Sequence, residues 1–232
     1  MNLVQKFQPR NILEVGVGIG TITDSILKSG NRYQLKVFGT EDNEFCRSQL
    51  ANNLGSKTDC FDINTIGDSK YCDVRKPLEI ESDNIAVIYN LAAIHTTPGH
   101  EYHEYFETNI KGAENICNFA EIYDCKNITF TSSIAVYGQG EHDKDEDTKT
   151  KPTTPYGKSK LAAEEIHINW KDKSPENHIL AICRPGVVYG PGEKGNVTRL
   201  VKFIKRKLFF YMGNKNIKKG GIYIKELINI II

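Results

Sequence analysis

Little in this sequence points outward to a surface, a metal or a cross-link. None of its six cysteines, at positions 46, 60, 72, 117, 125 and 183, forms a C-x-x-C pair. That pattern suggests neither a zinc site nor a disulfide framework, and free thiols in a reducing compartment are expected. No apolar run is long enough to span a bilayer; the tail Leu227–Ile232 reads as a strand or helix end. Charge is balanced, 30 Lys and Arg against 29 Asp and Glu, for a net +1. That gives no reason to expect a nucleic-acid or membrane partner. The first residues carry no signal-peptide pattern, so a cytoplasmic protein is expected. Internal repeats and low-complexity linkers are missing too. What remains is an ordinary globular composition, 39% hydrophobic and 25% charged, in a chain of 232 residues. That length fits one large domain, or one domain and part of a second.

Against this background one stretch carries chemistry, Thr154-Pro155-Tyr156-Gly157-Lys158-Ser159-Lys160. Pro155 suits the first turn of a helix. Tyr156 and Lys160, four apart, then stack on one face. A free tyrosine has a pKa of about 10; to serve as a base near neutrality it must fall by roughly 3, about 4 kcal/mol. A cation about 4 Å away supplies an interaction of that order. The pair is therefore a candidate for proton transfer. Taken alone, Tyr-x-x-x-Lys is common and reads better as an amphipathic helix with an exposed lysine.

The rest of the chain alternates strand and helix patterns. Asn11–Val15 is a strand that runs into Gly16-Val17-Gly18-Ile19-Gly20 and a helical pattern through Leu27. Glycines there allow a phosphate or ribose to approach a helix N-terminus. A second strand at Leu35–Gly39 leads to Glu41 and Asp42, about 20 residues past the glycines, where an acid accepts hydrogen bonds from a ribose diol. A helix is expected over Asn43–Leu54 and a brief strand over Tyr71–Val74. Ile85–Ala93 reads as a central parallel strand, with small residues at its end. A helix is expected over Glu101–Tyr123, with Phe106, Ile110, Ala113, Ile116, Cys117 and Ala120 on its apolar stripe. His100 and His103, with His95 just before, read as a polar loop, because they lack the i, i+4 spacing of a zinc helix; no metal is expected. Asn127–Thr131 is a strand whose tip carries Ser132 and Ser133, placed either to face a ligand crevice or to cap the next turn. The Tyr156 helix should run to Lys173, with Leu161, Ala162, Ile166 and Ile168 available for burial. Ile179–Cys183 is a further strand, followed by a turn-rich stretch through Pro191. A basic amphipathic helix over 196–207 and short strands at 209–211 and 221–224 close the chain. The order of elements predicts an α/β fold: a doubly wound, mainly parallel sheet of Rossmann type.

Several short motifs in series resemble one family. They are Asp73-Val74, Asn90-Leu91-Ala92-Ala93, Asn109-Ile110-Lys111-Gly112 with Asn115, Ser132–Gly138, Tyr156–Lys160 and Arg184–Pro191. In this order and spacing the run from about residue 70 to 226 is similar to the extended short-chain dehydrogenase/reductases, the NAD-dependent epimerase/dehydratase group acting on nucleotide sugars. The resemblance implies a dinucleotide-binding domain over 1–195 and the start of a substrate-binding region over 196–232. It implies Tyr156 as the acid/base, and Lys160 as the group that lowers the tyrosine's pKa and holds the nicotinamide ribose. Ser133 would bond the reacting sugar oxygen, with Asn196 and Arg199 on the substrate side. Gly16, Gly18, Gly20, Glu41, Asp42, Asp73, Val74, Leu91, Ala92, Ala93, Asn109, Pro185 and Val188 would line NAD. Hydride would pass from a sugar carbon to NAD as Tyr156 takes the hydroxyl proton. Relatives often pair as homodimers through the two long helices.

One stretch resembles something else. Glu14–Thr21 has glycines at every second position and, with Thr40-Glu41-Asp42, is similar to the first motif of S-adenosylmethionine-dependent methyltransferases. A methyltransferase is thus the second expectation. A shortened, non-catalytic cofactor-binding remnant is the third.

Overall fold

The structure is a computed structural model that describes residues 11–15, 36–40, 74–78, 85–94, 100–140, 142–190, 196–210 and 218–231. Five parallel strands form its sheet: β1 (Asn11–Val15), β2 (Lys36–Thr40), β3 (Ile85–Asn90), β4 (Asn127–Thr131) and β5 (Ile179–Cys183). Their spatial order is β2-β1-β3-β4-β5. The doubly wound α/β expectation is met. Because the strands run the same way, Val15, Thr40, Asn90, Thr131 and Cys183 all end at one edge of the sheet. The edge of a parallel sheet beyond its carboxyl ends is where ligands bind in such folds.

Two long helices cover one face, α1 (Tyr102–Ile122) and α2 (Pro155–Asp172). Leu13, Ile88, Ile116, Phe119, Ile128 and Trp170 make the main core, and Ala113, Phe130 and Ala163 a smaller one beside it. Each large apolar side chain so buried contributes about 1.5–3 kcal/mol. The small residues Ala113 and Ala163 let α1 and α2 approach β4. The expected stripe of α1 holds, with Phe106 and Ile110 only half-buried, and Tyr105, Asn109 and Asn115 join it. Glu101 and Glu104 close the N-terminus of α1 as a reciprocal capping box.

Four expectations need correction. The buried face of α2 is not the aliphatic one: Ile168 is exposed, Leu161, Ala162 and Ile166 are half-buried, and Lys160, Ala163, Glu164, His167 and Trp170 go inside. The stretch after Pro185 is not all turn. Val187–Tyr189 is a strand, β6, that pairs in parallel with β7 (Gly221–Tyr223). Backbone hydrogen bonds between two distant segments there outweigh the local turn composition. Phe209 and Phe210 are not in a strand, and Val74 sits in a turn. Helix α3 (Asn196–Lys205) follows β6, and α4 (Ile224–Ile231) ends the described chain. The helix expected over 43–54 lies outside the described residues. Among them no helix is long and apolar enough to cross a membrane.

Candidate active site

The first turn of α2 is built to meet the turn that follows β4. Thr154 caps the helix, its Oγ1 accepting from Gly157 N at 3.0 Å, and Pro155 stands at the first position. A Cβ at Gly157 would lie 2.6 Å from the Ala135 carbonyl oxygen, so only glycine lets the two backbones touch. Ala135 belongs to a 3-10 turn, Ile134–Tyr137, which Ser133 caps by accepting from Ala135 N at 3.2 Å. Ser133 thus fills the capping reading, and its side chain lies beside the Tyr156 phenol.

Lys160, one turn beyond Tyr156, is fully inside the protein at 2% exposure. Its Nζ donates to the Thr131 carbonyl at 2.8 Å and lies 4.6 Å from the centre of the Phe130 ring. Burial pulls its pKa down to about 7, with the Glu164 carboxylate opposing the fall. The Tyr156 phenol shifts the other way from expectation. Burial raises its pKa, and the hydrogen bond from Ser133 offsets only part of the rise. Lys160 does not counter that rise: its ammonium is committed to a backbone carbonyl in an apolar setting, where its own charge is costly. The protein matrix thus provides a neutral phenol and a lysine near its titration midpoint at neutral pH.

Two polar networks behind this pair were not foreseen. Arg184, at the tip of β5, grips both carboxylate oxygens of Glu164, Nε to Oε1 at 2.9 Å and Nη2 to Oε2 at 2.6 Å. It also donates through Nη1 to the Tyr137 hydroxyl at 2.8 Å. That fork holds the Arg184 pKa above its usual value. His167 lies stacked on Phe130, ring centres 4.2 Å apart. Its Nδ1 is 2.7 Å from the Ala163 carbonyl, which can only accept, so Nδ1 carries the proton and Nε2 accepts from Asn90 Nδ2 at 3.2 Å. Burial lowers the His167 pKa to about 4, and the ring is neutral. The signal for both networks was Lys160, Glu164 and His167 at i, i+4 and i+7, a polar helical stripe on the same face as the tyrosine.

Leu91–Ala93 and Pro185, expected to line a cofactor, follow the strand ends at the carboxyl edge of the sheet. Leu91, Ala92 and Ala93 leave β3 half-buried, and Leu91 N donates to Val15 O at 2.9 Å. Asn109, buried in α1, spends its amide on structure. Its Oδ1 accepts from Ile94 N at 3.1 Å and its Nδ2 donates to Ser159 Oγ at 2.8 Å. Ser159 Oγ in turn donates to Tyr156 O at 2.9 Å. Asn109 therefore ties the β3 loop to the tyrosine's own turn. Asn115 holds the Val74 carbonyl at 2.7 Å, and Gly112 makes room for the Val74 side chain, since a Cβ there would stand 3.1 Å from it. Pro185 accepts from Ile134 N at 3.1 Å, which fixes the β5 exit against the Ser133 turn, and Val188 lies half-buried in β6. Asn196 and Arg199 sit exposed on the first turn of α3 and bond each other at 2.7 Å. No hydrogen bond among the described residues joins them to Ser133, Tyr156 or Lys160. Gly16, Gly18, Gly20, Glu41, Asp42 and Asp73 lie outside the described residues.

Among the described residues no cluster fit to hold a metal is present. His100 pairs with Glu104 at 3.4 Å and stands edge-on to Tyr105. Cys117, Cys125 and Cys183 are free thiols, and burial pushes the first two up to about 12 and about 11. Such thiols are unreactive.

A family model described as "NAD dependent epimerase/dehydratase family" matches residues 23–231. The chain belongs to that family. Over 127 residues it is 38% identical to the N-acetyl-alpha-D-glucosaminyl-diphospho-ditrans,octacis-undecaprenol 4-epimerase of Escherichia coli O157:H7, covering 55% of this chain and 38% of that protein. Over 134 residues it is 33% identical to the UDP-glucose 4-epimerase of Vibrio cholerae, covering 55% and 40%. The chain thus spans about two fifths of the length of these relatives. The UDP-glucuronic acid 4-epimerase of Bacillus cereus, crystallised with NAD, superposes with a TM-score of 0.69 at 23% identity, covering 94% of this chain and 70% of that one. A UDP-N-acetylglucosamine 4-epimerase from Methanobrevibacter ruminantium M1 superposes at 0.72 and 20% identity, over 95% and 71%. These superpositions establish a shared fold. The methyltransferase-like run Glu14–Gly20 precedes the matched residues, and from residue 23 onward the match is to the epimerase family.

Proposed function

We propose that this chain carries the cofactor-binding and proton-transfer part of an NAD-dependent epimerase or dehydratase that acts on a nucleotide sugar. The observation that carries the reading is the meeting of the Tyr156 turn with the turn that Ser133 caps, Gly157 against the Ala135 carbonyl, with buried Lys160 one turn on. The donor set suits a ribose diol. An ammonium has three N–H donors, and Lys160 spends one on Thr131 O. Ala92 and Ala93, beside Leu91, offer small, half-buried surface where a flat ring system can lie close. NAD, when bound, supplies the hydride acceptor and donor.

The protein's part is proton handling and position. Ser133 and Tyr156 bind one sugar hydroxyl between them; once the phenol has given its own proton to solvent, the Tyr156 phenolate takes the hydroxyl proton at its oxygen. The phenol's raised pKa is opposed by a positive charge brought near it, and Lys160 near its midpoint supplies that charge. Asn109 and Ser159 keep the tyrosine's turn against the β3 loop, so the reacting groups do not drift apart. Asn196 and Arg199 are proposed to meet the substrate beyond the sheet edge, and pairing of two copies through α1 and α2 is proposed as the assembly.

Two measurements test this. Calorimetry with NAD and with S-adenosylmethionine should show saturable binding of NAD; binding of S-adenosylmethionine alone would reverse the assignment. Tyr156→Phe should keep NAD affinity and lower nucleotide-sugar turnover by about 10²–10⁴-fold, the usual worth of a general acid/base. Unchanged turnover would remove Tyr156 from the chemistry. Turnover by no nucleotide sugar, with NAD bound, would favour the remnant reading.

A further inference from the structure

Glu164 and Arg184 lie behind the site and touch neither Tyr156 nor Ser133 directly. Yet Arg184 is bonded to two of the three segments that carry the site, and it heads the third. Through Tyr137 it holds the turn that Ser133 caps. Through Glu164 it holds α2, which carries Tyr156 and Lys160. It is itself the residue before Pro185, whose carbonyl holds Ile134 N. Glu164 is 1% exposed and one helical turn from Lys160, which is 2% exposed. A carboxylate and an ammonium at i, i+4 on a buried face would ordinarily pair. They do not do so here. Glu164 is committed to Arg184 by two charge-assisted bonds, and Lys160 donates to the Thr131 carbonyl.

We propose that Arg184 is a positioning residue for Lys160: by occupying both oxygens of Glu164 it withholds that carboxylate from the lysine. The ammonium is thereby left at the end of β4, facing the sheet edge where the dinucleotide is proposed to sit. This rests on the reading of Lys160 given above.

The charged and titratable groups around Lys160 are few. Glu164 and His167 lie one and two turns on along its own helix, with Tyr156 one turn before. From β4 come the Thr131 carbonyl and the Phe130 ring. From β5 comes Arg184, acting through Glu164. From β3 comes Asn90, bonded to the neutral His167. Among the described residues Glu164 is the one nearby anion, so its freedom decides how strongly the ammonium is held in its charged form. Arg184→Lys keeps a positive charge but loses the two-pronged grip, which releases one Glu164 oxygen toward Lys160. Glu164→Gln removes the anion. The two changes therefore push Lys160 in opposite directions.

The test is a titration of the lysine side-chain nitrogen by NMR on protein carrying ¹⁵Nζ-lysine, from about pH 5 to about pH 10, with Lys160→Met to assign the signal. The wild-type signal should titrate at about 7. Its midpoint should rise by about 1 pH unit in Arg184→Lys and fall by about 1 in Glu164→Gln. If Glu164→Gln does not fold, the uncharged pair Glu164→Gln/Arg184→Gln takes its place with the same expected fall. Loosened packing alone would move both variants the same way, and that result, or no movement in either, overturns the proposal. Tyr156→Phe separates this from the functional reading. Opposite shifts with unchanged turnover in Tyr156→Phe would leave the positioning role standing and remove the tyrosine mechanism.

Discussion

The two helices α2 and α3 answer the same residue types in opposite ways. Helix α2 carries Lys160, Glu164 and His167 inward, and each finds a partner: Thr131, Arg184 and Asn90. Helix α3 and the residues after it carry Arg199, Lys202, Lys205, Arg206 and Lys207, and none of the ten residues of α3 is buried. There the apolar side chains are outside as well, with Phe203 and Ile204 each 52% exposed. The lesson is that charge in this protein is positioned where another strand or turn arrives to meet it. Lys160 in α2 loses hydration and gains a fixed place; a lysine in α3 keeps its water and its freedom. Fixed places are what proton transfer needs, which is why the site is read from α2.

That contrast can be broken by mutation. Arg184→Ala strips the buried Glu164 carboxylate of its two-pronged partner, leaving only Lys160 one turn away to offset the charge, and should cost about 3 kcal/mol in urea unfolding. Lys160→Met should work in the opposite sense. The folded lysine titrates near 7 and the unfolded one near 10.5. As pH falls from 10.5 toward 7 the unfolded chain takes up a proton that the native one does not, so stability is lost across that window and the loss is complete below it. Removing the amine should therefore raise stability at and below neutral pH by about 3–5 kcal/mol, less the lost Thr131 hydrogen bond, while NAD affinity falls.

His167 gives an acid limb. Its folded pKa of about 4 lies under the unfolded 6.5, so its contribution is present above pH 6.5 and is lost as pH falls toward 4, by about 3 kcal/mol. His167→Gln should flatten that limb in denaturation curves taken at successive pH values. On α3 the expected effect is smallest. Arg199→Ala, which removes one exposed bond to Asn196, should change stability by less than about 0.5 kcal/mol. A large loss there would erase the contrast between the two helices.

Much of the frame was legible in the residues. β1, β4 and β5 begin and end where their apolar runs do, and α2 starts at Thr154-Pro155 because its cap and first-turn signals are local. Tyr156, Lys160 and Ser133 were legible as a set through their motifs in series. The buried face of α2 was not, because Leu161 and Ile168 are the stronger hydrophobes, and Lys160 and Glu164 enter the interior only once Thr131 and Arg184 come from distant strands. The direction of the Tyr156 pKa was missed for the same reason. Spacing places the ammonium near the phenol, but burial sets the sign. β6 was hidden by its glycines and prolines, since its partner β7 lies more than thirty residues away.

The central claim is that Lys160 and Tyr156 face a bound dinucleotide at the carboxyl edge of the sheet. A crystal structure with NAD soaked in measures it directly. The account predicts Lys160 Nζ and Tyr156 Oη each within about 3 Å of a hydroxyl on the nicotinamide ribose. NAD seated elsewhere, or a ribose that neither group can reach, would contradict it.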